Sequence, residues 1–520
     1  MKLKYLYFIS FIEGGVVMVT ELAGAKILTP FFGASLYSWA STLSITLFAL
    51  MTGYYSGGYA TTKPNFASSN KIVWIFFLSG LAVLLMPSLG HFIMERTISF
   101  SFFTGLIISE FFFLFLPIFL MGMISPLIIF QITKKAEQSG RSAGNIYAIS
   151  TCGGILFTLV FGFLIIPYYG ITLPVRILGL SVSVIGLGFL VKDKMAAKKL
   201  PLILAFTLGI VVIAFNQIKP GFSPQSNMKL LEYSEGLLGE LKIVDERVYG
   251  PNGKPTYIRK LRTNNIQQNY VFVELPTQSL LPYVNFTRQL VKFLPAKKSA
   301  LLIGLGAGSL YKVLSDECQY VETVEIDKRI YEFGIKYFGM PPHKENFITD
   351  GRYYINATNK KYDIIILDVI IGESVPAQLI TLESFQRLYA LLNPNGTLII
   401  EHGGVKNFAQ NSFVPSIYKT LQAAGFQAGI FNPLISDKMG DVMFIATKNK
   451  FDATRINFSA DVFIKEGPLS TYELPITTFD NASANVLTDD VNNIDVLLKA
   501  HYFLVRKSIR KELAALKTLK

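Results

Sequence analysis

Leu301-Leu302-Ile303-Gly304-Leu305-Gly306-Ala307-Gly308, followed downstream by Val324-Glu325-Ile326-Asp327, carries the strongest signal in this 520-residue chain. An apolar run of strand length ends in three alternating glycines. Without β-carbons such a turn can be tight and can admit a ligand to the backbone at a helix start. The triplet by itself is weak evidence. Glu325, 21 residues after Gly304 and at the end of a second apolar run, adds to it. A carboxylate there can accept hydrogen bonds from both hydroxyls of a ribose. Gly304, Gly306, Gly308 and Glu325 therefore read together as a nucleoside-binding site.

The flanking sequence supplies the sheet this turn needs. From about residue 225 to 295, Leu241-Lys242-Ile243-Val244, Tyr257-Ile258-Arg259-Lys260-Leu261 and Tyr270-Val271-Phe272-Val273 predict a small β-rich lead-in, with Gly250-Pro251-Asn252-Gly253 as a turn. Over 296–450, strand-like runs at 300–303, 321–326, 346–349, 363–367 and 397–401 alternate with helical segments, which predicts a doubly wound parallel sheet. Asp350-Gly351 follows the third run, where Asp350 would meet an adenine amino group; a plain Asp-Gly turn is the structural alternative. Asp368 ends Ile364-Ile365-Ile366-Leu367 and is expected to face the same crevice, taking a proton from an amine or stabilising a sulfonium, unless it only caps the next loop.

The first 220 residues are of another kind. The chain is 51% hydrophobic, too much for a wholly soluble protein. Apolar runs near 5–31, 36–62, 73–93, 100–133, 143–168, 172–191 and 200–216 predict about seven membrane-spanning helices. The first run contains Glu13 and Glu21 and lacks a small-residue cleavage site, so it is read as a retained helix. Residues 1–220 carry net charge +9 and the remainder +4. Lys2, Lys4, Lys63, Lys71, Lys134, Lys135, Arg141, Lys192, Lys194, Lys198 and Lys199 fall on one side of these runs, against Lys26, Arg96 and Arg176 on the other. The positive-inside rule then puts the N-terminus in the cytoplasm, and seven spans put the second half outside, in conflict with a cytoplasmic nucleoside. A multi-pass inner-membrane protein is expected, with the side of its second half left open.

Glu13 and Glu21 lie about 80° apart on a helix, broadly on one face, and Glu110 also sits in an apolar run. Either these acids line a polar pocket or pathway, or they serve helix packing alone. Gly14-Gly15, Gly57-Gly58 and Gly153-Gly154 read as close-packing positions. Lys and Arg are explained by loops rather than by a basic stripe, which argues against nucleic acid. Cys152 and Cys318 give neither a disulfide framework nor a metal pair and read as buried thiols. His91, His343, His402 and His501 lack metal spacing, so no metal is expected. Residues 451–520 form an extension whose basic helix, with Arg506, Lys507, Arg510 and Lys511, lies on a membrane, packs on the domain or makes a dimer contact.

Taken together, Gly304 to Gly308, Val324-Glu325-Ile326-Asp327, Asp350-Gly351 and Tyr362-Asp363 leading to Asp368 resemble the spermidine synthase family, the aminopropyltransferases using decarboxylated S-adenosylmethionine. Phe32-Gly33-Ala34-Ser35, Leu120-Met121-Gly122, Gly144-Asn145-Ile146-Tyr147-Ala148 and Leu487-Thr488-Asp489-Asp490 are similar to its membrane-fused bacterial branch. The resemblance implies a Rossmann-like, class I methyltransferase-type domain fused to a helical membrane domain. Its substrate would be S-adenosylmethionine or the decarboxylated form, with Asp368 catalytic. Departures accompany it. The family's donor-binding acid after the glycine turn is missing in Gly306-Ala307-Gly308-Ser309. Ile371 replaces an acceptor-binding acid, with Glu373 at a shifted spacing. The family's Tyr-His-Glu element reads Tyr283-Val284-Asn285. The resemblance thus implies a kept nucleoside site and a changed second substrate. Aminopropyl-type transfer, cleavage of the sulfonium or methyl transfer stand open, beside a transporter or sensor with a regulatory nucleoside domain. Expected partners are a small-molecule substrate and the lipid bilayer, a homo-oligomer being left open.

Overall fold

The computed structural model describes residues 1–63, 69–97, 100–192, 227–249, 254–369, 375–436, 438–461 and 463–498. The chain divides into a helical unit and an α/β unit.

Among the described residues, six helices build the former: α1 (Leu3–Phe32), α2 (Leu36–Thr61), α3 (Ser69–Thr97), α4 (Phe102–Ile132), α5 (Ala136–Tyr169) and α6 (Thr172–Lys192). All but α2 are long and apolar enough to cross a membrane. The expected run at 200–216 lies outside the described residues. Phe32-Gly33-Ala34-Ser35 is the α1–α2 turn, with Gly33 at φ +70° and the Ser35 side chain accepting from the Ser38 N–H. Both α4 and α5 widen into a π-turn, at Phe111–Phe115 and Val160–Ile165. Pro117 and Pro167 follow one residue after them. A proline lacks the N–H for the carbonyl four residues back and crowds it, so the preceding turn opens.

The glycine pairs do pack, with one exception. A β-carbon on Gly14 would lie 1.9 Å from the Ser150 carbonyl oxygen, and one on Gly153 would lie 1.9 Å from that of Phe11, so α1 and α5 meet backbone to backbone. Gly57 is similarly close to Met123, at 2.5 Å, whereas Gly58 has nothing within 4 Å. Gly153→Ala is expected to destabilise the helical unit by about 2 kcal/mol or more through overpacking. Gly58→Ala should leave the melting temperature of the detergent-purified protein unchanged or slightly raised. Equal behaviour of the two variants would contradict the α1–α5 contact.

In the α/β unit, β1 (Met228–Gly236), β2 (Gly239–Tyr249), β3 (Pro255–Thr263), β4 (Ile266–Phe272) and β5 (Leu275–Ser279) form a five-stranded sheet in sequence order. The β2–β3 register runs antiparallel from Leu241↔Thr263 to Tyr249↔Pro255, and the expected turn at 250–253 lies outside the described residues. Helix α7 (Pro282–Phe293) leads into β6 (Ser299–Ile303), α8 (Ser309–Glu317), β7 (Tyr320–Glu325), α9 (Lys328–Phe338), β8 (Asn346–Ile348), α10 (Gly351–Ala357), β9 (Tyr362–Leu367), α11 (Leu382–Leu391), β10 (Leu392–Lys406), α12 (Phe413–Ala423), β11 (Gln427–Phe431) and β12 (Met439–Thr447). The second sheet has the order β11-β12-β10-β9-β6-β7-β8. This is the Rossmann-like, methyltransferase-type arrangement.

One expectation needs correction. The sheet is not parallel throughout, because β12 runs antiparallel to both β10 and β11. The β11–β12 connection is a short hairpin, which reverses the chain and lays β12 between two strands of the opposite direction. The parallel part, β8-β7-β6-β9-β10, is buried where predicted: Leu301, Leu302 and Ile364 to Leu367 are inaccessible. Strand order reverses about β6, which opens a crevice at the carboxyl ends of β6, β7 and β9. The core also takes in α7 and the segment after residue 450, where Phe286 meets Phe458 and Tyr472 edge to face.

Candidate active site

The glycine turn is seated against the end of β9. Gly304 N–H donates to the Val324 carbonyl at 2.9 Å, and Asp368 N–H donates to that of Ile303 at 2.8 Å. Gly304 has φ +88°, and a β-carbon there would fall 1.6 Å from the Asp368 carbonyl oxygen. Only glycine allows this approach. Gly306, at φ +52°, faces open space, with nothing within 4 Å of a β-carbon position. Gly308 caps α8 at φ +84° and lies against Met340.

Glu325 ends β7 beside this turn and is 5% exposed. Its Oε2 accepts the Leu305 N–H at 3.0 Å and its Oε1 the Asp327 N–H at 2.9 Å. Burial pushes its carboxyl up to about 7, against those two donors. A carboxylate offers about four lone-pair directions, so roughly two remain for hydroxyl donors. Asp327 does a different job: its Oδ1 accepts the Arg329 N–H, capping α9, and it pairs with the Arg329 guanidinium at 2.6 Å. Glu325→Gln turns an amide donor toward one of two N–H donors. It is expected to weaken adenosyl-ligand binding about tenfold to a hundredfold. Titration calorimetry checks this, and unchanged affinity would remove Glu325 from the site.

Asp350 follows β8 at the same sheet edge and is half-buried. Its Oδ1 accepts the Tyr353 N–H at 2.9 Å, so it caps α10, as the turn alternative anticipated. The other oxygen, Oδ2, has a long contact of 3.5 Å from Gln378. Leu487-Thr488-Asp489-Asp490 closes over this edge: Asp489 pairs with Arg352 at 2.5 Å and accepts from Thr381 at 2.7 Å.

Half-buried Asp368 lies just past β9. The Tyr283 hydroxyl, brought by α7, donates to its Oδ2 at 3.1 Å. Burial pushes its carboxyl up to about 6, with the Asp441 charge adding to the rise and the Tyr283 hydrogen bond opposing it. Burial and the Asp368 and Asp441 charges hold the Tyr283 phenol well above its ordinary range, so it stays a donor. Glu401, on β10 and 5% exposed, stands beside Asp368 because Ile400 pairs with Leu367 in the parallel register. Burial and the nearby Asp368 and Asp441 charges push the Glu401 carboxyl well above its ordinary range. Asp441, on β12, accepts the Gly404 N–H at 2.9 Å across a bulge. Glu401 Oε1 and Asp441 Oδ1 flank the β-carbon position of Gly403, at 2.9 and 3.7 Å.

Thus β6, β7, β8 and β9 bring Gly304, Gly306, Gly308, Glu325, Asp350 and Asp368 to one sheet edge. Sequence reasoning missed Glu401 and Asp441, and took Tyr283 only as part of a departing motif. Glu401 had a signal, since an acid closing the apolar run Thr397–Ile400 repeats the pattern of Asp368 after Ile364–Leu367. Ile371 and Glu373 lie outside the described residues. In the helical unit Glu13 is buried, and its Oε2 accepts from Ser125 at 3.2 Å and Ser150 at 2.9 Å. Glu21 is half-buried, while Glu110 accepts from Ser41 and Thr42. Contrary to expectation neither cysteine is a buried thiol: Cys152 is exposed on α5 and Cys318 is half-buried where α8 ends. Among the described residues no three His, Cys, Asp or Glu side chains could hold a metal ion.

A profile of the spermine/spermidine synthase domain matches residues 288–458. The polyamine aminopropyltransferase of Vibrio vulnificus is 34% identical over 125 residues, 23% of this chain and 42% of that protein. An N-terminal histidine N-methyltransferase of Emericella nidulans is 32% identical over 114 residues, 21% of this chain and 20% of its own. The chain spans less than half the length of both relatives. Polyamine aminopropyltransferase 2 of Aquifex aeolicus is 23% identical over 442 residues, 80% of this chain and 82% of that one. Among solved structures, a probable spermidine synthase from Corynebacterium glutamicum is similar with a TM-score of 0.38 and 16% identity, covering 51% of this chain and 97% of its own.

Proposed function

We propose, for a chain whose residues 288–458 match the spermine/spermidine synthase domain, that it is a membrane-bound aminopropyltransferase acting on an adenosyl sulfonium compound, decarboxylated S-adenosylmethionine. The observation that carries this reading is the placement of Asp368, which accepts the Tyr283 hydroxyl, against the Gly304 backbone at the sheet edge that also presents Glu325. In it, the ribose lies on Glu325, the adenine is near Asp350 and the open side of Gly306 admits the ligand.

The chemistry then follows from charge. An amine lone pair forms a C–N bond to the carbon next to the sulfonium. The C–S bond breaks with its electrons going to sulfur, and neutral methylthioadenosine leaves. Asp368 takes the proton from the new ammonium nitrogen. Because burial raises its pKa to about 6, Asp368 is ionised and competent above that pH, and activity is lost as pH falls through it. Acids the family places after the glycine turn and after Asp368 are replaced by Ser309 and Ile371. Asp441, arriving from β12, supplies negative charge near Asp368, which suits a cationic amine acceptor. Five apolar helices support placement in a membrane.

Mass spectrometry of products tests the proposal, using the detergent-purified full chain with S-adenosylmethionine or its decarboxylated form, with and without putrescine. Methylthioadenosine formed only with putrescine supports transfer. Its formation without any acceptor would replace transfer by cleavage, and a methylated product would make the enzyme a methyltransferase. No product despite nucleoside binding would favour a second reading, a transporter or sensor. That reading rests on buried Glu13, held by serines of α4 and α5. Its own check is solute uptake into proteoliposomes that disappears in Glu13→Gln.

A further inference from the structure

Leu487-Thr488-Asp489-Asp490 lies beyond the whole sheet in sequence, yet it is built into the edge that presents Asp350. Leu487 is buried; its N–H donates to the Thr420 hydroxyl of α12 at 3.0 Å, and its carbonyl accepts the Leu382 N–H of α11 at 2.8 Å. From that anchor a strap, residues 487–494, reaches over residues 376–381, which lead into α11. Those residues make a single 3-10 turn, whose own bonds run from the Leu379 and Ile380 N–H groups to the Pro376 and Ala377 carbonyls. So short a turn does not hold its own place. Side chains from elsewhere hold it. Arg352 of α10 gives one guanidinium nitrogen to the Gln378 carbonyl at 3.1 Å and to the Thr381 hydroxyl oxygen at 3.2 Å. Its other terminal nitrogen donates to Asp489 Oδ2 at 2.5 Å, and the Thr381 hydroxyl donates to Asp489 Oδ1 at 2.7 Å. The Asp489 N–H donates to Glu383 at 2.9 Å, and the Asn492 amide to the Ala377 carbonyl at 3.1 Å.

What the strap holds borders the crevice. Leu379 packs on Gly351, where a β-carbon would lie 3.2 Å from Leu379 Cδ1 and 2.8 Å from Ile303 Cγ2, so it is seated by the end of β6. Gln378 brings its side-chain amide to 3.5 Å from Asp350 Oδ2. Resting on the reading of this edge as the adenosyl site, we infer that Asp489 is a positioning residue for its adenine end: the carboxylate fixes the Arg352 fork and Thr381, and through them sets Gln378 and Leu379 beside Asp350. A planar guanidinium held on both of its terminal nitrogens keeps one orientation. Loss of the carboxylate frees it to turn away from the Gln378 carbonyl. Asp489 acts through these residues rather than on the ligand. Strap docking and nucleoside binding are then coupled, and linkage makes the coupling reciprocal, so that a bound nucleoside also steadies the strap.

The Asp489 side chain is 42% exposed, so Asp489→Ala is a surface change that leaves the core intact. Hydrogen exchange of the detergent-purified full chain without ligand gives one readout. The Leu379, Ile380 and Leu382 amides are expected to exchange about tenfold faster in Asp489→Ala, with those of β6 and β9 unchanged. Calorimetry with methylthioadenosine gives another: affinity should fall about tenfold, the worth of one charge-assisted hydrogen bond. In turnover, KM for the sulfonium donor should rise with it while kcat changes less than about threefold. Asn492→Ala, which removes the Ala377 contact, should move both readouts the same way by a smaller amount. Unchanged exchange in Asp489→Ala would mean that the strap does not hold the turn, and overturns the inference. Faster exchange with wild-type affinity and KM would leave Asp489 a purely structural role, and overturns it as well. Wild-type protein that binds no methylthioadenosine would overturn the adenosyl reading itself, a failure told apart from the strap's own because it needs no substitution to appear.

Discussion

Asp368→Asn is expected to lower methylthioadenosine release about a hundredfold to ten-thousandfold, the usual range for removing a general base. Adenosyl-ligand affinity should stay within about threefold, because neither the glycine turn nor Glu325 loses a contact. Asparagine keeps the size of aspartate, and its amide oxygen can still accept the Tyr283 hydroxyl now 3.1 Å from Oδ2. It cannot take a proton from an ammonium. The wild-type pH profile should agree. With the Asp368 carboxyl pushed up to about 6, turnover falls about tenfold per pH unit below that value. Product quantification and calorimetry on the same preparation check both halves. Undiminished turnover would take catalysis away from Asp368, and lost binding would mean the substitution had disturbed the turn instead.

Gly304→Ala is expected to be the most damaging single methyl addition in the α/β unit. The new carbon would lie 1.6 Å from the Asp368 carbonyl oxygen, and φ is +88°, where an L side chain is strained. Backbone must therefore move, and the segment that moves carries Asp368. Strain and overpacking together put the loss at about 3 kcal/mol or more, with turnover falling alongside. Gly306→Ala is the informative comparison. Its β-carbon meets nothing within 4 Å, so its penalty is φ strain of about 1 kcal/mol, and its main effect should be on ligand affinity. Denaturation of the detergent-purified variants separates the two. A Gly304→Ala protein as stable and active as the wild type would mean that the turn is not seated against β9.

Much of this architecture is local and therefore legible in the amino-acid sequence. Strands end where the apolar runs at 300–303, 321–326 and 363–367 end, because buried parallel strands read as continuous hydrophobic segments. The glycine turn and Glu325 are one βαβ unit apart, a spacing that chain geometry alone imposes. The six apolar runs within the described residues are helices because their composition leaves few other solutions. Those residues determined the fold class and most of the sheet edge proposed to hold the nucleoside.

The acid–base arrangement was decided by tertiary structure. Glu401 reaches Asp368 through a parallel register between strands some thirty residues apart, and Asp441 arrives only because β12 inserts antiparallel beside β10. Tyr283 comes from a helix that precedes the whole sheet, and Glu13 finds its two serines on different helices. Periodicity specifies which face of an element is buried, but not which element lies against it. That choice comes from strand order and register, which are set by the packing of the whole unit, and so the chemistry around Asp368 is a property of the folded sheet.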